Sequence, residues 1–362
     1  MSSGRPPKSE EAGLGPRMGV RVALFTVLVV VCVAVGGAYV VYARGNNPRN
    51  GKPTEPLAAG SDAARAAVMA EPHVVFRNTE LGSNYGKVEV VPLSAPAGPR
   101  FVTPLQCDRV AMGRRVGVCL TTEQGVVTTY RGEIFDAQFR VVHEFPLPGL
   151  PSRVRLSPDG KYAAMTVFVY GDSYAADNFS TRTLFVDTSS GAGLGDLEGF
   201  DVTEDGQTVT AISRNYWGVT FAADSNTFYA TLAVGAEIHL IQGNLKQRQA
   251  HTIADDTECP SLSPDQTRVA YKKRVGGGFT AVKWRLHVLD LRTGRDRELA
   301  ETRNVDDQVE WLDNSTVLYG VPRASSGSGA TDTYAVPADG SGAPTLFIRG
   351  AWSPAVAPTG SA

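Results

Sequence analysis

The sequence is poor in the residue types from which metal and nucleophile sites are built. It holds five His and four Cys in 362 residues, with none of the Cys and His spacings that zinc sites use. An excess of one charge is also missing. The 35 basic residues face 37 acidic ones, a formal net charge of -2, so there is no basic footprint for nucleic acid. Lysine is scarce, eight residues against 27 arginines, which with abundant Ala, Gly and Val suggests a high-GC bacterial genome. No long amphipathic helical period occurs outside the N-terminus. Instead, 38 Gly and 22 Pro divide the chain into many short segments, and a 42% hydrophobic content suffices for one large core or two small ones.

Only one apolar run is long. Val22 to Ala43, VALFTVLVVVCVAVGGAYVVYA, carries no charge and can cross about 30 Å of hydrocarbon as a helix. Arg5, Lys8, Arg17 and Arg21 precede it, and Arg44, Arg49 and Lys52 follow, so the positive-inside bias is weak. An N-terminal span before one large domain favours an inward N-terminus, which makes residues 1–21 a cytoplasmic tail. The expected address is the plasma membrane, single-pass, with the remainder extracytoplasmic. A cleaved signal peptide is the alternative. Gly36 and Ala38 are small enough for a peptidase, but the apolar run continues through Val40, Val41 and Tyr42. A lipoprotein signal fails because Val31 precedes Cys32. Residues 44–70, rich in Pro, Gly and Asn, read as a flexible tether. The folded domain is expected over 71–358, with 359–362 a short tail.

The internal repeat decides the architecture. LSPDGKYAAM (Leu156 to Met165) returns as LSPDQTRVAY (Leu262 to Tyr271). Ser-Pro-Asp-Gly suits a type I turn followed by a left-handed residue, and strand-like segments flank it. Related hairpins turn at Asp224-Ser225 and Asp313-Asn314. FDVTEDGQTVTAI (Phe200 to Ile212) follows its predecessor too closely and reads as an elaboration of that unit's outer edge. A second signature, strand, polar turn and strand, recurs six times with centres near residues 90, 134, 186, 239, 288 and 335. Spacings of about 44 to 53 residues with four short strands per unit are the pattern of a β-propeller. GAWSPAVAP (Gly350 to Pro358) looks like an innermost strand without a hairpin partner, while the first unit, from His73, lacks one. The C-terminal strand can therefore complete the first blade and remove the open sheet edges. The expected fold is all-β, a six-bladed propeller preceded by one transmembrane helix. A sandwich or barrel is the alternative.

SPDG at Ser157–Gly160, SPDQ at Ser263–Gln266 and DLRTG at Asp290–Gly294 resemble the TolB-like propeller family with its WD40-like repeats. The membrane-anchored form of actinobacteria is the nearest description. The resemblance spans roughly residues 71 to 358 and implies the fold. It implies an interaction role in the cell envelope only by analogy.

Candidate chemistry is sparse. Gly171-Asp172-Ser173 mimics an esterase nucleophile block, but none of His73, His143, His239, His251 and His287 has the Asp three residues earlier that such a triad needs. The surrounding loop, with Tyr170, Asp172, Tyr174 and Asp177, reads as an interaction surface. Cys107 and Cys119 lie six residues either side of Gly113. If a hairpin turns there they face each other, and a disulfide would add roughly 3 kcal/mol. Trp217, Trp284, Trp311 and Trp352 read as packing residues between blades. Asp255-Asp256 and Asp306-Asp307 each precede an innermost strand and are candidates for the channel rim. No catalytic residue, cofactor or metal is expected. The reading is a non-enzymatic, monomeric propeller that binds the membrane through its anchor and another envelope protein through its surface. The rival is a propeller enzyme or ligand-binding protein using carboxylates at the central channel.

Overall fold

The computed structural model describes residues 16–45, 62–169, 180–276, 282–324 and 329–357. The chain forms two compact units, residues 1–52 and 53–362. The first contains α1 (Pro16–Gly45). Its segment Gly19–Gly45, 27 residues with a mean hydropathy of 2.6, is long and apolar enough to cross a membrane. Thr26, a polar residue within it, donates its hydroxyl to the Val22 carbonyl 2.9 Å away, which satisfies that group within the helix.

The second unit begins with α2 (Asp62–Met69). The stretch read as a tether over 44–70 therefore includes a short helix. DAARAAVM is rich in the best helix former, and Val68 is buried in a core cluster with Val75, Val88 and Phe135. Six sheets follow. β1 (His73–Asn78), β2 (Lys87–Pro92) and β3 (Phe101–Gln106) belong to blade 1. Blade 2 is β4 (Arg109–Met112), β5 (Val116–Glu123), β6 (Thr129–Asp136) and β7 (Val141–Pro146). Blade 3 is β8 (Leu150–Leu156), β9 (Tyr162–Val169), β10 (Ser180–Asp187) and β11 (Gly193–Asp196). A hairpin, β12 (Asp201–Glu204) and β13 (Gln207–Thr208), precedes blade 4, which comprises β14 (Arg214–Phe221), β15 (Thr227–Val234), β16 (Glu237–Asn244) and β17 (Gln249–Asp255). Blade 5 is β18 (Glu258–Leu262), β19 (Arg268–Gly276), β20 (Lys283–Asp290) and β21 (Asp296–Glu298). Blade 6 is β22 (Glu310–Trp311), β23 (Thr316–Pro322), β24 (Thr331–Pro337) and β25 (Thr345–Ile348).

The last strand, β26 (Ala351–Ala357), returns to blade 1 and pairs antiparallel with β1, Val74 opposite Val356 and Val75 opposite Ala355. The ring is thereby closed by strand exchange between the chain's two ends. Six hydrophobic clusters hold it together, each straddling one interface between neighbouring blades. This follows from the architecture: a four-stranded blade has two apolar faces and can bury them only against its neighbours.

The repeated turns are chemically alike. Ser157 and Ser263 each accept, on Oγ, the N–H five residues on, and each donates to the Asp two residues later. The residue closing each turn is left-handed: Gly160 at φ 74°, Gln266 at 61° and Ser225 at 56°. In three other places a Gly lies opposite a Phe in the next strand: Gly117 and Phe135, Gly132 and Phe145, Gly243 and Phe228. A Cβ on these glycines would lie 2.0–2.2 Å from the ring, so each Phe lies flat over its partner's backbone.

The hairpin β12–β13 corrects one expectation. It does extend an outer edge, but that of the following blade: β12 pairs in parallel with β17. Phe200 and Val202 explain the choice, because both are buried with Phe228 and Ile241 of blade 4. Just ahead of it, Glu198 accepts the Thr183 N–H at 3.1 Å. Burial pushes its carboxyl up from 4.5 to about 8. The folded state thus favours the neutral acid, while the unfolded chain ionises it near 4.5. Stability present at low pH is lost as pH rises from 4.5 towards 8. Thermal melts are expected to show Glu198→Gln gaining on the parent by at most about 5 kcal/mol between pH 4 and pH 9. Parallel pH curves for the two proteins would refute this.

Candidate functional site

The innermost strands β26, β4, β8, β14, β18 and β22 surround the axis. The chain entering β22 crosses this channel, and residues 306–310, which end on the first residue of β22, touch every other blade. Asp307 pairs with Arg109 of blade 2 at 3.0 Å. Asp306 meets Arg153 of blade 3 at 3.7 Å and Lys272 of blade 5. The Gln308 amide donates to the Val219 carbonyl of blade 4 at 3.1 Å and to the Pro260 carbonyl of blade 5 at 2.8 Å. Glu310 pairs with Arg155 of blade 3 at 3.1 Å and accepts the Val356 N–H of blade 1 at 3.2 Å. This five-residue strap is the hub of the ring.

Electrostatically the hub is closed. Arg109, Arg153, Arg155 and Lys272 face Glu258, Asp306, Asp307 and Glu310, four basic groups against four acidic ones, with burial pushing the Glu310 carboxyl up against the pull of Arg155. Burial brings the Arg109 guanidinium down to about 10, still charged at neutral pH, and its plane lies 4.6 Å over the Trp352 ring. Burial also opposes the Lys272 ammonium, but the neighbouring Cys259 sulfur, Glu258 at 3.4 Å and Asp306 outweigh it and hold its pKa above the ordinary value. Lys272 stands 4.2 Å over Trp284, whose indole N–H donates to Glu258. The free space among Arg153, Gln308 and Ser353 amounts to about 10 Å³, room for one water at most.

The predicted rim residues therefore divide. Asp306 and Asp307 reach the channel; Asp255 and Asp256 do not. Asp255 ends the outer strand β17 and pairs with His239 of β16 at 2.8 Å, and Asp256 turns with φ 54° on the way inward to β18. The same dipeptide thus falls before the crossing in one blade and after it in the next. Tyr170, Asp172, Tyr174 and Asp177, with the Gly-Asp-Ser block, lie outside the described residues.

Cys107 and Cys119 are joined by a disulfide, Cα atoms 5.3 Å apart. They are not direct cross-strand partners, because Cys119 faces Val110. The hairpin turns beyond Gly113, and Cys107 lies before β4, in the interface between blades 1 and 2. Trp311 is buried between blades 5 and 6, and its indole N–H donates to the Ser261 carbonyl.

Two His–Asp pairs have the base-and-orienter half of a catalytic triad: His239 with Asp255, and His287 with Asp296 at 3.0 Å. In both, the other ring nitrogen is buried with no hydrogen-bond partner, so neither activates a nucleophile among the described residues. Among those residues no group of three His, Cys, Asp or Glu could hold a metal ion. Sequence reading missed the basic half of the hub. Its one local signal is LPSRVRL, where Arg153 and Arg155 alternate on one side of an otherwise apolar innermost strand.

No protein-family model and no curated protein matches the chain. Among solved structures it is similar to TolB from Acinetobacter baumannii, at 15% identity over 81% of this chain and 68% of that one, with a TM-score of 0.53. It is also similar to an oligogalacturonate lyase from Vibrio parahaemolyticus, at 10% identity over 73% of this chain and 76% of that one, TM-score 0.46. A puromycin-hydrolyzing peptidase of Mycobacterium tuberculosis matches at 13% identity over 77% of this chain and 45% of that one, TM-score 0.44. At such identities likeness establishes fold alone: the second unit is a TolB-like six-bladed β-propeller.

Proposed function

We propose that this chain is a non-enzymatic, membrane-tethered propeller that acts as a protein-interaction module of the cell envelope. The observation that carries the reading is the closed hub. Each acidic side chain of the hub is matched by a basic one, and the strap is tied to the other five blades with about 10 Å³ of free space left beside Arg153 and Gln308. Recognition then falls to the faces and loops of the ring. The rival reading, a metal-dependent hydrolase at the channel, needs three or more free oxygens converging there, and the strap's carboxylates are already paired with Arg109, Arg153, Arg155 and Lys272.

The plasma membrane, with the propeller on its outer side, is the address this reading requires. The apolar α1 and the Cys107–Cys119 disulfide both support it, since disulfides persist in oxidising compartments. Affinity capture of the full chain, solubilised from its own membranes, tests the role. A specific envelope protein is expected to co-purify in stoichiometric amount. Recovery of the chain alone, or hydrolytic activity lost on Asp306→Asn, would overturn the proposal.

A further inference from the structure

Outside the hub, blade 4 has a feature that a closed ring does not require. The β12–β13 hairpin widens it to six strands, where the other blades have four, and β12–β17 is the only parallel pairing among the described residues. Insertions into a repeated scaffold are where such proteins place their binding surfaces. The widened sheet forms one wall of a cavity of about 530 Å³, within the size range of small-ligand sites.

Eight of its ten lining residues are polar, the exceptions being Gly243 and Ala250. Register places Gln242 opposite His251, Asn244 opposite Gln249, Asp201 beside Gln249 and Thr203 beside His251. Directly paired residues share a face, so these six side chains point into the same cavity. Asp201, Thr203, Gln249 and His251 make no side-chain hydrogen bond within the protein among the described residues. Gln242 spends only its Nε2, on the Tyr229 hydroxyl, and Asn244 only its Oδ1, on the Gln247 N–H. Donors and acceptors thus alternate across neighbouring strands about 4.8 Å apart. No Lys or Arg lines the cavity, which disfavours phosphate and sulfate esters. One carboxylate, Asp201, disfavours polyanions.

We infer that this face of blade 4 is a binding site for a neutral, hydroxyl-rich ligand, a segment of oligosaccharide. Hydroxyl groups both donate and accept, which is what amide and hydroxyl side chains at this spacing satisfy. A peptide would seek an open strand edge or an apolar pocket, and here the hairpin covers the edge of β17. The inference stands independently of the interaction role proposed above, because protein capture and sugar binding are read separately.

Isothermal titration of the full chain in a non-glycosidic detergent tests it, with maltotetraose and chitotetraose as probes. Tetragalacturonic acid and tetra-alanine are the controls. Saturable binding of at least one neutral tetrasaccharide is expected, at least tenfold weaker in Asn244→Ala/Gln249→Ala and unchanged in Arg292→Ala, an exposed residue on another blade. These side chains are half-buried or exposed, so the variant should fold, and the native melting temperature verifies that it has. Thr203→Val, which removes one hydroxyl at nearly constant volume, should weaken binding two- to fivefold. No binding to either neutral sugar, equal binding by the Asn244/Gln249 variant, or preference for the peptide or acidic sugar would overturn the assignment.

Discussion

A chain ending at Gly350 is expected not to form a closed ring. Without β26, blade 1 has three strands and β1 presents an unpaired edge. Ala351, Ala355 and Ala357, all buried, are withdrawn from the interfaces with blades 6 and 2. The Val356 N–H leaves Glu310, and Ser353 leaves Val110 of blade 2. Domains of this size have a total stability of about 5–15 kcal/mol, and losing a closing strand with both of its interfaces should remove at least about 5 kcal/mol of it. Trp217, Trp284 and Trp311, which the truncated chain keeps, all lie in the propeller, so their fluorescence during urea unfolding reports on that unit alone. The truncated chain should lose its cooperative transition and aggregate through the exposed edge. A synthetic peptide of residues 349–358 added in trans should restore part of it. A truncated chain unfolding within about 1 kcal/mol of the parent would show that β26 does not close the ring.

Asp307→Ala should have the second-largest effect. Its carboxylate is 2% exposed and the Arg109 guanidinium 13%. Removing the carboxylate leaves the buried guanidinium without its hydrogen-bonded acid, beside Trp352 and the like-charged Arg153, and breaking such a pair costs about 3–5 kcal/mol. The strap also loses its tie to blade 2. Arg109→Met added to Asp307→Ala removes the orphaned charge and keeps the packing on Trp352, so the double variant should recover about half the loss. A double-mutant cycle by urea unfolding measures this, with an expected coupling of about 2 kcal/mol. A single variant within about 1 kcal/mol of the parent would mean that Arg109 finds other partners and the strap is not a hub.

What the sequence made legible is what repeats locally. The Ser-Pro-Asp turns, the spacing of about 50 residues and the unpaired strand at Ala351–Ala357 led to the ring and its closure, since each depends on a few adjacent residues. The hub depends on residues far apart in the chain: Arg109 meets Asp307 198 positions away, and Arg155 meets the Val309 carbonyl 154 positions away. No period reports such contacts. The two Asp pairs show the limit most clearly. Asp255-Asp256 and Asp306-Asp307 have like local contexts, yet only the second lies past the crossing from the outer strand to the axis. The disulfide shows a smaller version of the same limit. The symmetry of Cys107 and Cys119 about Gly113 suggested a register three residues from the real one, in which Arg109 faces Leu120.

The Gly–Phe pairs have a consequence for how such a chain can diverge. Neither member can change alone: a larger residue at Gly243 meets the Phe228 ring, and a smaller one at Phe228 bares the Gly243 backbone. The same holds for Gly117 with Phe135 and Gly132 with Phe145. Across descendants of this sequence these positions should be inherited as couples, lost together or kept together. The hairpin turns, Ser-Pro-Asp in two blades and Ala-Ala-Asp in a third, already accept Gly, Gln and Ser at their left-handed position and are free to drift one residue at a time. Kinship among distant propellers of this kind would then be written in paired sites across strands, and only weakly in the turn motif that first catches the eye.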